Sequence, residues 1–530
     1  MGKTIGIDLG TTNSCVAYLE NGNPLVIPNL DGLNTTPSVV AFTSAGERVV
    51  GTPAVRQAVT NPFNTVYAVK RLIGQKFNSP RVSEARNRLP YRISEAENGD
   101  VVIDIESRSF SPQEISAMIL YYLKACAESY LGEEVTEAVV TVPAHFNDAQ
   151  RQATKDAALI AGLEVLRVIN EPTAAGLAYG LNARQNGVVA VYDLGGGTFD
   201  ITILEIRDGV FQVLSTIGET YLGGEDFDAR LVAWLADGFK NETGIELVGD
   251  KFAMQRVKEA AEKAKKELSF ISETEINLPF ISSDRSSSRH LRRVVTRQIL
   301  EVLTIDLVEK TIPLIETALA DAKVSVYQVD EVILVGGQTH MPLVKRMVGE
   351  FFRKTPVENI NPDEVVAVGA AVQSGILRDK TTSNLVLLLD VTPFSLGIET
   401  ENDGYEVVIE KNTTIPIRKT KAFTTVEDNQ RRVRIHVLQG DYPVASLNKS
   451  LAVFELVGID PAMAGVPQVD VTFEINPDGL AHVSARDAAT GLEQKIVVQP
   501  SSGLQPGRLE ALIEDRKKSE FVKLDSDVKA

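Results

Sequence analysis

Two short runs of the sequence combine an apolar strand, an aspartate and a glycine-rich turn, a pattern suited to phosphate chemistry. The runs are 8–13 (DLGTTN) and 193–198 (DLGGGT), and each follows a strand-like segment of apolar residues. Consecutive backbone N–H groups in such turns can surround phosphate oxygens, and glycine permits that close approach. One copy could equally be a tight β-turn that closes a strand. Two copies predict an ATP site in a cleft between two related halves of an α/β domain.

The candidate residues of this cleft follow from the two turns. Asp8 and Asp193 are placed to hold a hydrated Mg²⁺ beside the phosphates. The phosphate-binding candidates are Gly10, Thr11, Thr12, Asn13, Gly195, Gly196, Gly197 and Thr198. The turns are not a P-loop, because no glycine-rich stretch precedes residues 2–4 (GKT). The sequence contains neither G-x-S-x-G nor H-E-x-x-H, so hydrolases with a nucleophile elbow and zincins have no support.

A polar stripe on a predicted helix is a candidate for the adenosine side of the cleft. Glu262, Lys265, Lys266 and Ser269 recur at i, i+3, i+4 and i+7, while the apolar residues of 254–268 mark another face. A solvated helix face would show the same spacing. Periodicity alone therefore leaves both interpretations open.

Alternating strands and helices position these residues and predict an α/β architecture for the first part of the chain. A third apolar strand, 332–335 (VILV), runs into Gly336 and Gly337. The run 148–161 is rich in good helix formers and ends at Gly162, a natural helix C-cap.

The pattern changes to period-two alternation from about residue 394 to about residue 500, as in 469–475 (VDVTFEI). This alternation predicts a separate antiparallel β domain. After residue 506 a short helix is predicted, and the charged residues from 514 onwards are expected to fray. The serine-rich segment 282–290 is expected to be an exposed loop.

Composition excludes several classes of function. The chain has 530 residues and a net charge of −17, which opposes binding to nucleic acid or to an anionic membrane surface. Cys15 and Cys126 are too few for a disulfide framework or a structural zinc site. No apolar run approaches the ~20 residues needed to span a bilayer, and the start has no signal-peptide pattern. We therefore expect a reducing, cytoplasmic compartment.

Six motifs extend these patterns along the chain. They are 5–14 (IGIDLGTTNS), 142–153 (VPAHFNDAQRQA), 169–179 (INEPTAAGLAY), 193–200 (DLGGGTFD), 223–227 (GGEDF) and 388–392 (LLDVT). Together they resemble the seventy-kilodalton heat-shock chaperones, most closely the DnaK branch, from residue 1 to about 504. The resemblance implies an actin-like ATPase domain of two duplicated lobes, a hydrophobic linker, a peptide-binding β-sandwich, and a short helical or frayed tail without the family's helical lid. The implied bounds are 1–381, 382–393, 394–504 and 505–530.

The resemblance also implies catalytic roles for Lys70, Glu171, Asp193 and Thr198. Lys70 matches the lysine that helps to position the attacking water near the γ-phosphate, whereas the residue alone would favour a solvated surface lysine. Phosphoryl transfer to water depends mostly on positioning and charge neutralisation, so a lysine, Mg²⁺ and backbone amides suffice. Thr198 matches a position that autophosphorylates in some relatives. ATP, ADP and Mg²⁺ are the implied cofactors, with K⁺ as a further candidate.

On the adenosine side the candidates become Glu262, Lys265, Lys266, Ser269, Gly336, Gly337, His340 and Asp363. His340 stands where the family usually has an arginine that stacks on adenine. An imidazole can stack on the base but is mostly neutral at pH 7 and lacks the cation–π contribution.

The resemblance implies a peptide channel in the β-sandwich. The matching positions are Ile398, Phe423, Val433, Ile435 and Val469, although the same residues could form the sandwich core. Thr400-Glu401 and Thr425-Val426 match two loops that arch over the peptide. Glu401 and Val426 replace the family's usual methionine and alanine or tyrosine, so we expect altered peptide preference, towards basic side chains beside the apolar anchor.

A further set matches positions that couple the cleft to the linker and the sandwich. It comprises Pro143, His145, Arg151, Lys155, Arg167, Leu388, Leu389 and Asp390. DnaK has a tyrosine where this chain has His145. The histidine is either simply tolerated or makes the relay weaker or sensitive to pH.

These observations predict an ATP-dependent chaperone that binds extended apolar segments of unfolded proteins. A J-domain co-chaperone and a GrpE-type nucleotide exchange factor are the implied partners. Two alternatives stay open: a small-molecule kinase of the actin-like superfamily, and a regulatory relative that does not hydrolyse ATP. The C-terminal β domain argues against the kinase, and intact Lys70 and Glu171 argue against loss of hydrolysis.

Overall fold

The fold is taken from a computed structural model of the chain. The structure describes residues 3–183, 186–284, 287–378, 386–491, 493–497, 503–504, 506–518 and 521–522. Residues 382–385 of the predicted linker lie outside the described residues.

The strands of the first part are β1 (Lys3–Asp8), β2 (Asn13–Glu20), β3 (Asn23–Ile27), β4 (Thr35–Pro37), β5 (Val40–Phe42), β6 (Arg48–Val50), β7 (Thr65–Val66), β8 (Arg92–Glu95), β9 (Val101–Ile105), β10 (Arg108–Phe110), β11 (Val135–Val142), β12 (Glu164–Asn170), β13 (Gly187–Leu194), β14 (Phe199–Arg207), β15 (Val210–Glu219), β16 (Glu273–Asp284), β17 (Ser287–Thr296) and β18 (Glu331–Val335). Those of the second part are β19 (Leu387–Val391), β20 (Leu396–Thr400), β21 (Gly404–Ile409), β22 (Thr414–Ile415), β23 (Ile417–Thr424), β24 (Arg432–Gln439), β25 (Lys449–Val457), β26 (Gln468–Ile475), β27 (Ala481–Asp487) and β28 (Glu493–Val497).

The helices are α1 (Thr52–Gln57), α2 (Pro80–Arg88), α3 (Pro112–Leu131), α4 (Asp148–Ala161), α5 (Glu171–Ala183), α6 (Gly224–Thr243), α7 (Lys251–Leu268), α8 (Arg297–Glu309), α9 (Thr311–Ala322), α10 (Pro342–Phe352), α11 (Val365–Arg378) and α12 (Pro506–Lys518). Within the part of the chain that the structure describes, no helix is long and apolar enough to cross a membrane.

Two sheets of the first part repeat one topology, as the duplicated turns predicted. In the first sheet β1 is antiparallel to β2 and parallel to β11. In the second sheet β13 is antiparallel to β14 and parallel to β18. Asp8 ends β1, and Asp193 lies in the corresponding position near the end of β13. The duplication therefore places the two aspartates at equivalent sheet edges, one in each lobe.

Two helices pack closely under the cleft and join the lobes. A Cβ added at Gly369 of α11 would lie 1.8 Å from the carbonyl oxygen of Ala174 in α5, and one added at Gly6 of β1 would lie 2.1 Å from the backbone nitrogen of Ala371. Glycine at both positions lets α11 approach α5 and β1. The packing of α11 against α5 and β1 fixes the base of the cleft, and the two glycine-rich turns lie above this base.

The hydrophobic run near residue 388 is a strand of the second lobe's sheet. Strand β19 pairs in parallel with β15, with Leu388 opposite Phe211, and β22 pairs with β19 on its other side. The chain then forms two four-stranded antiparallel sheets, in the orders β21-β20-β24-β25 and β23-β26-β27-β28. Their facing sides share one apolar core that includes Ile435, Val469 and Phe473. The alternation predicted an antiparallel β domain here, and the family resemblance implied that it is a β-sandwich.

The prediction of an exposed loop at 282–290 was wrong for its described residues. Strands β16 and β17 pair up to Ser283 opposite Ser288 and Asp284 opposite Ser287. The hairpin buries Ile276, Leu291 and Val295 in the core of the second lobe, and the serine-rich segment lies at the far end of its two paired strands.

The C-terminal helix is longer than predicted and packs on the first lobe. Helix α12 continues to Lys518, beyond the point at which we expected fraying. Its apolar residues Leu509, Leu512 and Ile513 contact the core of the first lobe. Arg508 lies 3.3 Å from Glu114 of α3. The tail prediction is therefore corrected for 506–518, while 519–520 and 523–530 lie outside the described residues.

Candidate functional site

The two glycine-rich turns face each other across the cleft between the lobes. A Cβ added at Gly196 would lie 1.9 Å from Thr12 Oγ1, and one added at Gly197 would lie 2.6 Å from Thr11 Oγ1. Only glycine lets the turns come this close. The buried hydroxyl oxygen of Thr12 has no hydrogen-bond partner among the described residues. The space beside these glycines would be filled by any side chain, and it contains the unpaired hydroxyl of Thr12. Such a space fits a phosphate group.

A cavity of about 480 Å³ lies between the lobes and gathers most of the predicted nucleotide site. The predicted residues that line it are Asp8, Gly10, Thr11, Thr12, Asn13, Lys70, Glu171, Asp193, Gly195, Gly196, Thr198, Glu262, Lys265, Lys266, Gly336, Gly337, His340 and Asp363. Two predicted residues are absent from the lining. Gly197 packs under Thr11, and Ser269 caps the end of α7, where its hydroxyl donates to the carbonyl oxygen of Lys265.

Lys70 is buried in the cleft and is not a solvated surface lysine. Its side chain is 6% exposed, and its Nζ lies 2.5 Å from Oε1 of Glu171, the first residue of α5. Nζ also lies 5.8 Å from the centre of the Phe146 ring. A buried ammonium group held by one carboxylate is well placed to face the negative charge of a phosphate.

The carboxylates of the cleft repel one another. Burial, and then the negative charge of Glu171, raises the pKa of Asp8 to about 7, although Lys70 partly opposes this. Burial and the charges of Glu171, Asp200 and Asp8 raise the pKa of Asp193 well above its ordinary value. A divalent cation beside these groups would favour their ionised forms.

The donor set fits Mg²⁺. The described residues contain no group of three or more His, Cys, Asp or Glu side chains arranged to hold a metal. Mg²⁺ commonly takes only one or two carboxylates and fills its other positions with water and substrate phosphates. Asp8 and Asp193 would supply the two carboxylates.

The predicted adenosine end of the cavity is built by α7 and the turn after β18. Lys265 lies 2.9 Å from Asp228 and donates to the carbonyl oxygen of Gly224 at 2.9 Å, and its side chain is only 11% exposed. Lys266 pairs with Glu262 at 2.6 Å. The solvated-face interpretation is therefore wrong for Lys265.

His340 is held in place by a carboxylate. Its Nε2 lies 2.9 Å from Oδ2 of Asp363, and its ring centre lies 6.0 Å from that of Phe270. Gly336 has φ of 83°, and a Cβ there would lie 2.5 Å from the carbonyl oxygen of Leu194. The turn therefore requires glycine and brings the imidazole beside the cavity.

Sequence reasoning missed several residues of the cleft. Asp228 pairs with Lys265, and Tyr67, Lys258 and Phe270 also line the cavity. The Lys258 ammonium lies 3.3 Å from the centre of the Tyr67 ring, so the pair connects α7 to the first lobe. Lys258 lies four residues before Glu262, so the spacing that identified the polar stripe could have found it.

In the sandwich, the predicted channel residues divide into two groups. Ile398, Ile435 and Val469 are at most 6% exposed and belong to the core, whereas Phe423 and Val433 are half-buried at its edge. The loop residues Thr400, Glu401 and Val426 are exposed. Phe423 and Val433 therefore have side-chain surface that a ligand could contact, whereas Ile398, Ile435 and Val469 do not.

The predicted coupling residues meet at the contact between the first lobe, β19 and the sandwich. Asp390 accepts hydrogen bonds from Asn170 Nδ2 at 2.8 Å and from the Thr173 hydroxyl at 3.2 Å. Arg151 donates to Asn170 Oδ1 at 2.6 Å and to the Asp478 carbonyl at 3.5 Å. Asn170, Thr173 and Asp478 were not predicted, because no sequence pattern shows which side chains meet across two domains.

Asp478 is the sandwich's main acceptor at this contact. Its carboxylate accepts from Lys155 Nζ at 3.0 Å and from the backbone nitrogen of Val168 at 3.0 Å. The charges of Asp478 and Asp390 act on Arg167, although burial dominates and lowers the pKa of that guanidinium. Pro143, also predicted here, is buried at the end of β11.

His145 connects the cleft to the start of the sandwich. Its backbone nitrogen donates to Asp200 Oδ1 at 3.0 Å, and its ring centre lies 4.3 Å from that of Phe394. Burial, and then the charge of Arg81, lowers the pKa of His145 to about 4. The imidazole is therefore neutral near pH 7, which argues against the pH-sensitive relay that the sequence left open.

Comparison with known protein families gives a match over nearly the whole chain. A family model described as Hsp70 protein matches residues 4–528, nearly the whole chain, so the match includes both lobes, the strand β19, the sandwich and helix α12.

Proposed function

The chain belongs to the Hsp70 family. We therefore propose that it is an ATP-driven chaperone that binds extended apolar segments of unfolded proteins. ATP binding and hydrolysis control its affinity for these segments. The family membership disfavours the small-molecule kinase that the lobe architecture left open. Assignment to the DnaK branch, a J-domain co-chaperone, a GrpE-type exchange factor and a cytoplasmic setting are parts of this proposal. Both cysteines are free and buried, which agrees with a reducing compartment.

The observation that carries the proposal is that two consecutive residues serve the cleft and the sandwich contact. Glu171 pairs with Lys70 inside the cleft, while Asn170 binds Asp390 of β19 and Arg151. A shift at the start of α5 would therefore act on both contacts at once. Coupling between two sites requires a structural element whose conformational equilibrium both sites can shift. The consecutive residues Asn170 and Glu171 form such an element.

The proposed hydrolytic step uses positioning and charge. The turns hold phosphate oxygens through backbone N–H groups, and Lys70 faces the terminal phosphate while Glu171 fixes its ammonium group. Mg²⁺, when bound by Asp8 and Asp193 through water, would neutralise phosphate charge. Thr198 lines the same cavity, which supports its proposed place near the reacting phosphate.

The coupled state in the proposal is the one in which sandwich and lobes touch. Asp148 of α4 accepts from the backbone nitrogen of Ala481 at 2.8 Å, and Lys411 lies 2.9 Å from Asp321 of α9. ATP would favour this docked arrangement, and hydrolysis would release it. The peptide site near Phe423 and Val433 would then change affinity with the nucleotide.

A single-turnover ATPase measurement with and without an extended apolar peptide tests the proposal. We expect hydrolysis that requires Mg²⁺ and accelerates several-fold when the peptide is added. Hydrolysis without any response to peptide would contradict the coupling. No hydrolysis in the presence of bound ATP would favour the regulatory relative that does not hydrolyse.

A further inference from the structure

The second lobe contains a cavity that is separate from the nucleotide cleft. The cavity has a volume of about 1250 Å³ and lies between helix α10, the end of strand β18 and the segment 353–362. His340 and Pro362 line this cavity on one side and the nucleotide cleft on the other. A space of this size can enclose a small organic molecule. We call it the rear cavity.

The floor of the rear cavity is apolar and formed in advance. Gly349 of α10 lines the cavity, and a Cβ there would lie 3.2 Å from the carbonyl oxygen of Lys354. The missing side chain keeps the space beside the helix open. The buried or half-buried apolar side chains of the floor are Leu334, Pro356, Val357 and Ile360. Such a surface suits the apolar body of a ligand.

The rim of the rear cavity is basic. Lys345, Gly349 and Arg353 recur at i, i+4 and i+8, so the two cations stand on one side of α10 with the glycine between them. The charged lining residues are the four cations Lys345, Arg346, Arg353 and Lys354 and the two carboxylates Glu350 and Glu358. This excess of positive charge contrasts with the net charge of −17 for the whole chain. A ligand with a negative group complements this rim.

Two of the four cations are available to a ligand. Arg346 lies 3.1 Å from Glu301, and Lys354 donates to the carbonyl oxygen of Asp330 at 3.1 Å. Lys345 and Arg353 are exposed, and neither forms an ion pair with any described residue. The Arg353 guanidinium lies 5.5 Å from the centre of the Tyr327 ring, which helps to hold it in place. A cation positioned in advance loses little conformational entropy when it binds an anion.

His340 is the wall between the rear cavity and the nucleotide cleft. Its Nε2 lies 2.9 Å from Oδ2 of Asp363, which lines the nucleotide cleft and not the rear cavity. A molecule in the rear cavity would therefore pack behind the imidazole and restrict its movement away from the cleft. Occupation of one cavity would then act on the other.

We propose that the rear cavity binds a small organic anion, with its negative group held by Lys345 and Arg353 and its apolar body on the floor below Gly349. The bound anion restrains His340 and slows the release of nucleotide from the cleft. The effect on nucleotide release rests on the proposed function, whereas the anion site does not.

Titration of the full chain with anilinonaphthalene sulfonate, an aromatic sulfonate that fluoresces when bound, tests the site. Saturating MgADP fills the nucleotide cleft, and any probe in the peptide channel is common to all variants. We expect Lys345→Glu/Arg353→Glu to weaken one class of probe site by at least about tenfold. Lys345→Arg/Arg353→Lys keeps both charges and should retain that site. Lys240→Glu/Lys310→Glu changes the net charge equally at side chains that are 51% and 61% exposed and line neither cavity, so it should bind as the parent does.

Release of radiolabelled ADP tests the second part of the inference. We expect the probe to slow release from the parent by about threefold and to have no effect on the Lys345→Glu/Arg353→Glu variant. Probe binding that is the same in the charge-reversed variant and the parent would overturn the anion site. Release from the parent that does not respond to bound probe would overturn the action through His340. Failure of the parent to bind ADP would contradict the proposed function itself, and the probe titration would still decide the anion site.

Discussion

Lys449 of the sandwich donates a hydrogen bond to Asn147 at the start of α4, with 3.0 Å between Nζ and Oδ1. The same ammonium group donates to the carbonyl oxygen of Gly74 at 3.4 Å. Burial lowers the pKa of Lys449 to about 8, while the charge of Asp148 partly opposes the shift. Docking of the sandwich on the first lobe therefore buries this lysine and lowers its affinity for the proton.

Docking of the sandwich should tighten as the pH rises above about 8. When the parts separate, Lys449 becomes solvated and its pKa returns towards the ordinary 10.5, so the docked state holds the proton more weakly. Between the two values each pH unit favours docking by at most about 1.4 kcal/mol. Asp148, with its pKa raised to about 6 by burial, titrates below this window.

Energy transfer between fluorophores on the first lobe and the sandwich measures this dependence. Lys449→Met should remove it, whereas Lys345→Met, at an exposed position of α10, should not. Docking by the parent that stays constant from pH 8 to pH 10 would show that Lys449 is not buried in the docked state.

Lys70→Ala should abolish ATP hydrolysis and leave MgATP affinity within about tenfold of the parent. In the proposed function the lysine would face the reacting phosphate, while the turns and the proposed adenosine pocket stay intact in the variant. Single-turnover assays and equilibrium titration measure the two effects. Lys263→Ala is the control, because that α7 lysine is 78% exposed and should affect neither. Hydrolysis by the Lys70 variant at the parental rate would place the catalytic centre elsewhere.

Phe63→Ala should accelerate nucleotide release by about threefold to tenfold. Phe63 of the first lobe and Phe252 of α7 meet edge to face between the two lobes, with ring centres 5.7 Å apart. Such aromatic pairs contribute roughly 0.5–1.5 kcal/mol beyond the area they bury. Stopped-flow release of a fluorescent nucleotide measures the rate. Phe280→Ala, which removes an aromatic ring that is 68% exposed on the β16–β17 hairpin, should leave release unchanged. Equal rates for the parent and the Phe63 variant would mean that the ring pair does not restrain opening.

Val433→Phe should weaken peptide binding by at least tenfold. Val433 is half-buried on β24 at the edge of the sandwich core, so a larger ring would occupy the space proposed for the peptide's apolar side chain. Anisotropy titration measures the loss, and thermal unfolding of the variant verifies that the sandwich stays folded. Val453→Phe adds the same ring to an exposed position and should have no effect. Unimpaired binding by the Val433 variant would place the channel elsewhere.

The sequence predicted those features of the fold that come from a repeated motif or from alternating apolar residues. The two Asp-Leu-Gly turns indicated two related α/β halves, and period-two alternation indicated a separate antiparallel β domain. Asp228 and Asn170 could not be predicted, because their partners come from distant segments. Ser269 has the correct helical spacing, yet it ends α7 and its hydroxyl turns back to the helix. A pattern within one element shows which face a residue occupies, but not which element that face will meet.

Strand β19 provides the most direct test of coupling, because two neighbouring leucines differ in exposure. Leu387 is 53% exposed, whereas Leu388 is half-buried beside the core that contains Phe211. A buried carboxylate at residue 388 would be costly to desolvate, so β19 should leave the sheet while both parts stay folded. Leu387→Asp should keep its charge in water and preserve docking.

The measurement is peptide-stimulated ATP hydrolysis, together with ATP-induced peptide release, in these two variants. We expect Leu388→Asp to lose both responses while it still hydrolyses ATP at the basal rate and binds peptide. Leu387→Asp should retain both responses within about twofold. Full coupling in the Leu388→Asp variant would contradict the claim that β19 joins the nucleotide cleft to the sandwich.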